Sequence, residues 1–204
     1  MKLSILAIAA IAITTLTGCG GMTTNASPPA TAVTAAAQTA RAQDAAGAYC
    51  KQTGGEVEHR RPVYGSNSSN LLFLAGEQSF CQYTSKKDGS RIHILLETLY
   101  TTKPSLAALA YINKPTVGSC NGNPASCYCT LLGGSDSFGG INAAGGGWVQ
   151  KSDPVDTSLE ACIFPDMSSI DSWGLTYHSI GDIRGADLDG LLRYPNPYAS
   201  KKKK

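Results

Sequence analysis

Seven cysteines and three histidines are the residues of this 204-residue chain whose types are best suited to chemistry. Cys19 is assigned to lipid attachment below, and the other six cysteines form an even set, which in a secreted chain predicts disulfides. Closely spaced thiolates can instead bind a metal ion. Cys120, Cys127 and Cys129, with His178, are the candidates for such a metal set. No second C-x-C or C-x-x-C motif completes four ligands. We therefore predict disulfides, no metal site and no cofactor.

A repeat within the chain pairs the cysteines. The motif Y-C-x-x-x-G-G occurs at 49–55 and again at 128–134, and a further cysteine follows the first cysteine of each copy after 31 and 33 positions. Residues 127 and 129 point about 200° apart on a helix, so one can face the core while the other binds an incoming loop. The repeat predicts the pairs Cys50–Cys81, Cys129–Cys162 and Cys120–Cys127.

The elements that must position these cysteines follow from local signals. Asn123 and Pro124 are typical of a helix start, and Gly133 of a helix end. Short β-prone runs follow each Gly-Gly pair and predict antiparallel strands. Apolar segments 92–100, 105–112 and 170–177 are predicted as helices. The expected fold class is α+β, with two related units of roughly 70–75 residues, each a helix, short antiparallel strands and a second helix. Units of that size usually need disulfides.

The N-terminus predicts the location of the protein in the cell. Met1 and Lys2 precede an apolar run that is too short to span a bilayer and ends in Leu16-Thr17-Gly18-Cys19. This pattern is typical of bacterial lipoproteins, in which the cysteine thiol is acylated and the peptide before it is removed. Gly20 in place of Asp favours the outer membrane. The predicted segments are a signal peptide (1–18), a flexible tether (19–43), a divergent first unit (44–117), a second unit (118–196) and a basic tail (197–204).

Charge excludes one class of function. The chain has a formal net charge of +2. Without Lys2 and the four lysines 201–204, twelve basic residues remain against fifteen acidic ones, a net charge of −3. Because a nucleic-acid-binding domain spreads its basic residues through the folded part, we expect no nucleic-acid partner. The lysine tail is expected to be solvated.

The second copy resembles a known family. It contains N-P-A-S at 123–126, Y-C at 128–129, G-G at 133–134, C-I-F-P-D at 162–166 and I-D-S-W at 170–173. This set is similar to a small cysteine-containing domain of unknown function in bacterial lipoproteins, YoaF-like and often labelled as haemolysin. The first copy departs from the pattern, with His93 where Asp would stand and Leu95 where Trp would stand. The resemblance implies no catalytic residues.

The sequence contains few signs of a catalytic site. No G-x-S-x-G, H-E-x-x-H or G-x-x-x-x-G-K motif is present. His59 and His93 are expected on exposed faces of their segments, whereas His178 with Asp171 and a serine could form a hydrolase triad after folding. The glycine-rich stretch 138–147 is interpreted as a hairpin loop, and the acidic segment 182–189 as a solvated helix face.

These observations predict a non-enzymatic binding or interaction module, anchored in the membrane of the cell envelope through Cys19. An envelope protein is a possible partner. Two alternatives stay open. One is a tethered hydrolase that uses His178 and Asp171, and the other is an inhibitor or toxin-like module.

Overall fold

The computed structural model describes residues 35–64, 72–116, 118–136, 147–150 and 158–198. The predicted signal peptide, Cys19, nearly all of the glycine-rich stretch and Lys201–Lys204 lie outside the described residues. Within these ranges, no helix is both long enough and apolar enough to cross a bilayer.

The described chain contains five α-helices, a short 3-10 helix and seven strands. The helices are α1 (Ala35–Gln52), α2 (Leu96–Tyr100), α3 (Leu106–Asn113), α4 (Pro124–Leu131) and α5 (Ser172–Ser179), and the 3-10 helix is Leu188–Gly190. The strands are β1 (Glu56–Tyr64), β2 (Leu72–Phe73), β3 (Gln78–Thr84), β4 (Arg91–Leu95), β5 (Trp148–Val149), β6 (Ala161–Ile163) and β7 (Ser169–Asp171). The predicted α+β class is confirmed.

The strands form one antiparallel sheet in the order β2-β1-β3-β4-β7-β6, and β5 pairs with β1 beside this path. At its centre β4 from the first half pairs with β7 from the second, with Ile94 opposite Ile170. The expected pair of separate units is therefore not what the sheet shows, since both halves share it. All the described residues belong to one compact unit.

Each copy of the repeat nevertheless folds in the same way around its disulfide. Gly54 and Gly133 have φ of +89° and +84°, the left-handed conformation that ends a helix. Gly55 and Gly134 follow, and a Cβ at either position would lie 2.3 or 2.5 Å from a disulfide sulfur. The next residue then pairs with the residue after the second cysteine, Glu56 with Gln82 and Ser135 with Ile163. The Y-C-x-x-x-G-G motif thus encodes a helix, a staple and a strand start.

Two of the predicted helices have the wrong boundaries. Segment 92–100 is a strand followed by a short helix, and segment 170–177 begins as strand β7 before α5. Because both segments turn from strand to helix within a few residues, neither periodicity extends far enough to be recognised. Helix α1 starts at Ala35, so residues 35–43 of the expected tether are helical.

The main core lies on one face of the sheet, here called the first face. It includes both long-range disulfides, the central pair Ile94 and Ile170, and Leu99, all of which are fully buried. Tyr111 of α3 joins this core with its hydroxyl accepting from the N–H of Leu188. The helices of both halves therefore cover one common apolar surface.

Candidate functional site

The opposite side of the sheet, the second face, differs from this core. Alternate residues of a strand point to opposite sides of a sheet. Pairing places Phe80, Leu95, Ser169 and Ile163 in one row across the second face, and Gln82, His93 and Asp171 in the adjacent row. One row is mostly apolar and its neighbour is polar, so the second face combines a charged site with an apolar one.

Five polar side chains on this face form a buried charge cluster. Its members are Glu58, Arg60, Gln82, His93 and Asp171, each at most 9% exposed. His93 places Nδ1 3.1 Å from an Asp171 carboxylate oxygen and Nε2 3.0 Å from the Gln82 amide oxygen. The Arg60 Nε donates to Glu58 at 2.7 Å, and Glu58 also lies 3.4 Å from the imidazole. With His93 protonated, two cations balance two carboxylates.

The cluster shifts the protonation of its members. Burial alone would raise the pKa of Glu58, but the His93 hydrogen bond and the Arg60 charge outweigh it and lower that pKa to about 2. Burial alone would lower the pKa of His93, but the contacts with Asp171 and Glu58 outweigh it and raise that pKa. The contacts within the cluster therefore favour the charged form of both residues.

Asp171 has a second task at the start of α5. One of its carboxylate oxygens accepts from the N–H of Gly174 at 2.9 Å, which caps the helix. The other oxygen contacts His93. This carboxylate thereby joins the charge cluster to the helical layer on the first face.

Arg60 connects the charge cluster to Trp148. Its Nη1 donates to the Trp148 carbonyl oxygen at 3.1 Å. Trp148 is also held by paired main-chain hydrogen bonds with Leu159. Its indole ring meets Phe80 edge to face, with 5.9 Å between ring centres. The cluster therefore fixes the aromatic part of the second face.

A cavity of about 540 Å³ lies beside this aromatic pair. Among the described residues, its apolar lining consists of Phe80, Leu95, Pro104, Trp148, Ile163 and Met167. Its polar lining includes Gln78, Glu97, Thr98, Thr101, Ser105, Asp166, Ser168 and Ser169. This volume and this mixture of surfaces are typical of small-molecule sites.

Several polar groups around the cavity are already engaged at the start of α3. Asp166, Ser168 and Ser105 accept from the main-chain N–H groups of residues 106, 107 and 108. Burial alone would raise the pKa of Asp166, but the Ser168 hydroxyl and the main-chain N–H groups outweigh it and lower that pKa. These three side chains are helix caps.

Two other lining residues carry buried polar atoms. The indole nitrogen of Trp148 and the hydroxyl of Ser169 make no hydrogen bond to any residue that the structure describes. Trp148 is 8% exposed and Ser169 is 3% exposed. Leaving such groups unsatisfied costs roughly 1–3 kcal/mol each.

The hydrolase hypothesis finds no support in the positions of its residues. His178 lies seven residues after Asp171, about 10 Å further along α5. Its ring is buried and stacks on Tyr111 with 3.6 Å between ring centres. Both Asp171 oxygens are engaged, by Gly174 and by His93. The structure therefore does not bring the proposed pair together.

The cysteines form the three disulfides Cys50–Cys81, Cys120–Cys127 and Cys129–Cys162. These are the pairs that the repeat predicted. Among the described residues, no group of three His, Cys, Asp or Glu side chains is arranged to hold a metal ion. Cys120, Cys127 and Cys129, which were considered as metal ligands, are therefore all in disulfides.

The expectations for His59, for His93 and for the acidic segment 182–189 have different outcomes. His59 is exposed as predicted, with its side chain 63% accessible and near Glu77. His93 was expected on an exposed face, which is wrong because β4 is a central strand with both faces covered. The acidic segment 182–189 is mostly irregular and leads into the 3-10 helix, so the helix face expected there is also wrong.

The charge cluster as a unit is not among the features predicted from the sequence. Glu58 and Arg60 lie two positions apart in a strand, which places both on one face, and this signal was present. The approach of His93 and Asp171 depends on the pairing of strands 76 positions apart, which no local pattern encodes.

Comparison of the chain with protein-family models, with curated proteins and with solved structures found no match. The function must therefore be argued from the residues and their geometry.

Proposed function

We propose that this protein is a lipid-anchored lipoprotein of the bacterial cell envelope, and that its disulfide-stapled domain is a non-enzymatic module that binds a small, largely apolar ligand. The observation that carries the binding proposal is the cavity of about 540 Å³ on the second face. Its described walls combine aromatic and aliphatic side chains with hydroxyl and carboxylate groups.

The anchor is supported by the sequence Leu16-Thr17-Gly18-Cys19 after a short apolar run. Six cysteines joined in three disulfides fit an oxidising compartment such as the envelope. Acylation of Cys19 with more than one chain would make membrane attachment stable, since each buried CH₂ adds about 0.8 kcal/mol.

The anchor is tested by metabolic labelling with an alkyne fatty acid in a bacterial host. The full chain should incorporate the label and the variant Cys19→Ser should not. Cys120→Ser is the matched control, because it removes a different cysteine and should keep the label. Equal labelling of the full chain and Cys19→Ser would refute the anchor.

The binding site is tested with N-phenyl-1-naphthylamine, a neutral probe whose fluorescence rises in apolar surroundings. The chain has two tryptophans. Trp148 lines the cavity, whereas Trp173 lies on α5 beside Tyr177. Energy transfer to the bound probe should persist in Trp173→Phe and fall strongly in Trp148→Phe. Ile163→Phe, which adds a ring to the cavity wall, should weaken probe binding.

The outcome that contradicts a binding site at the cavity is the absence of saturable probe binding, or binding that Ile163→Phe leaves unchanged. Circular dichroism of each variant in the far ultraviolet shows whether the fold is kept.

A further inference from the structure

The described walls of the cavity carry negative charge and no positive charge. Glu97 and Asp166 contribute carboxylates, and the described lining contains no Lys, Arg or His. A ligand carboxylate or phosphate would therefore lose its hydration without gaining an ion pair from these residues.

The two carboxylates are not equivalent. Asp166 accepts from the N–H groups of Leu106 and Ser168, at 2.8 and 3.1 Å, and its charge is already compensated there. Glu97 is exposed, and its carboxylate accepts from the neutral amide of Gln43 at 3.4 Å. Glu97 is thus the carboxylate whose charge stays available to a bound cation.

The aromatic wall supplies a surface for the apolar part of such a ligand. Phe80 and Trp148 pack edge to face, with an interplanar angle of 65°. Leu95 and Ile163 supply aliphatic surface beside the rings.

We propose that the ligand of this cavity is an amphipathic cation, an apolar chain or ring that carries an amine or quaternary ammonium group. The apolar part lies against Leu95, Ile163 and the aromatic pair, and the cationic group lies at Glu97. This inference rests on the proposed binding function and adds the charge of the ligand to it.

The test uses three probes that share a ten-carbon chain, namely decyltrimethylammonium, decyl maltoside and decanoate, each below its micellar concentration. Binding to the full chain carrying Trp173→Phe is followed by the fluorescence of Trp148, the remaining tryptophan. We expect the cation to bind tightest and decanoate weakest.

The variant Glu97→Gln should weaken binding of the cation roughly three- to five-fold, because an ion pair near a surface contributes up to about 1 kcal/mol. Binding of decyl maltoside should not change. Glu56→Gln is the matched control, since it makes the same substitution at an exposed carboxylate outside the cavity lining.

The outcomes separate the two proposals. Equal binding of all three probes, tighter binding of decanoate, or a cation affinity that is unchanged in Glu97→Gln would overturn the ligand class while leaving a binding cavity in place. Failure of all three probes and of N-phenyl-1-naphthylamine to bind would overturn the proposed function as well.

Discussion

The two copies of the repeat keep one staple but differ at the residue where the sheet passes into a helix. In the second copy this residue is Asp171, which caps α5, and in the first copy it is Leu95, which makes no side-chain cap. Their backbones are nearly the same, with φ and ψ of −52° and 120° against −55° and 136°. The position is thus geometrically conserved and chemically different.

This difference shows which parts of the repeat serve the fold and which build the second face. The cysteines and glycines do the same work twice on the first face. Leu95 instead lines the cavity, whereas Asp171 uses its second oxygen to hold His93. The divergence of the first copy therefore supplies an apolar wall where the second copy supplies a charge.

Truncation of Asp171 and of Leu95 to alanine tests this difference most directly. Asp171→Ala removes a helix cap and leaves the buried His93 without one of its carboxylates, which should cost about 4 kcal/mol of unfolding free energy. Leu95→Ala removes buried apolar surface at the cavity edge and should cost about 2 kcal/mol. Urea denaturation measures both values.

Asp171→Asn serves as the control, since its amide oxygen can keep the cap while the charge is lost. The loss of unfolding free energy in Asp171→Asn should be smaller than the loss in Asp171→Ala. Equal costs for Asp171→Ala and Leu95→Ala would show that the charge cluster contributes nothing beyond packing.

The disulfides should show the similarity of the copies. Cys50–Cys81 and Cys129–Cys162 span 31 and 33 positions, so the chain-entropy model gives each roughly 3.5–4 kcal/mol. Cys120–Cys127 spans only 7 positions and should contribute roughly 2.4 kcal/mol. Pairwise Cys→Ala variants, unfolded in guanidinium chloride, test this order. A large difference between the two long loops would contradict equivalent staples.

The joining of Asp171 from one copy with Glu58 and His93 from the other predicts a pH dependence. The pKa of Glu58 falls from 4.5 to about 2 on folding, so its stabilisation is present above pH 4.5 and is lost as pH falls towards 2. This loss is on the order of 3 kcal/mol. The folded-state pKa of His93 lies above 6.5, so its stabilisation is complete below pH 6.5 and is lost as pH rises through that higher value.

Unfolding free energies measured from pH 2 to 9 should therefore fall at both ends. Glu58→Gln should flatten the acid limb, and His93→Gln the alkaline limb. His59→Gln changes an exposed histidine and should leave the profile as it is. A profile of the same shape in Glu58→Gln would mean that other carboxylates set the acid limb.

The smallest effect is expected at the first glycine of each pair. Gly54→Ala and Gly133→Ala meet no neighbouring atom within 4 Å, but each would hold a Cβ at positive φ. The cost should be about 1–2 kcal/mol and similar in both copies. Thermal unfolding that is clearly more sensitive at one position would show that the copies end their helices differently.

How much the sequence could predict depended on the range of the interaction. The cap at Asn123, the helix end at Gly133 and the cysteine pairing were readable because they depend on nearby residues or on an internal repeat. The sequence alone aligns Ile92 with Ile170, whereas the structure matches Ile94 to Ile170, two positions later. Pairing of Ile94 with Ile170 makes Leu95, and not His93, the counterpart of Asp171.

The candidate site was less readable because it is built from strands that meet only in the sheet. Phe80, Leu95, Ile163 and Ser169 form a row through three successive strand pairings, and each pairing depends on the others. Trp148 comes from the second half of the chain and reaches this row through the pairing of β5 with β1. A one-residue change of register in any strand would move these side chains to the first face.

The pairing of β4 with β7 has one further consequence. Read outward from Ile94 and Ile170, the sheet has the same order on both sides: a strand with the second cysteine, then the segment that follows the glycine pair. Two identical chains related by a two-fold axis meet in this way. A single copy standing alone would expose β4 as an unpaired edge and would need a second molecule. Covalent duplication makes that association intramolecular, so it no longer depends on how much protein the cell makes.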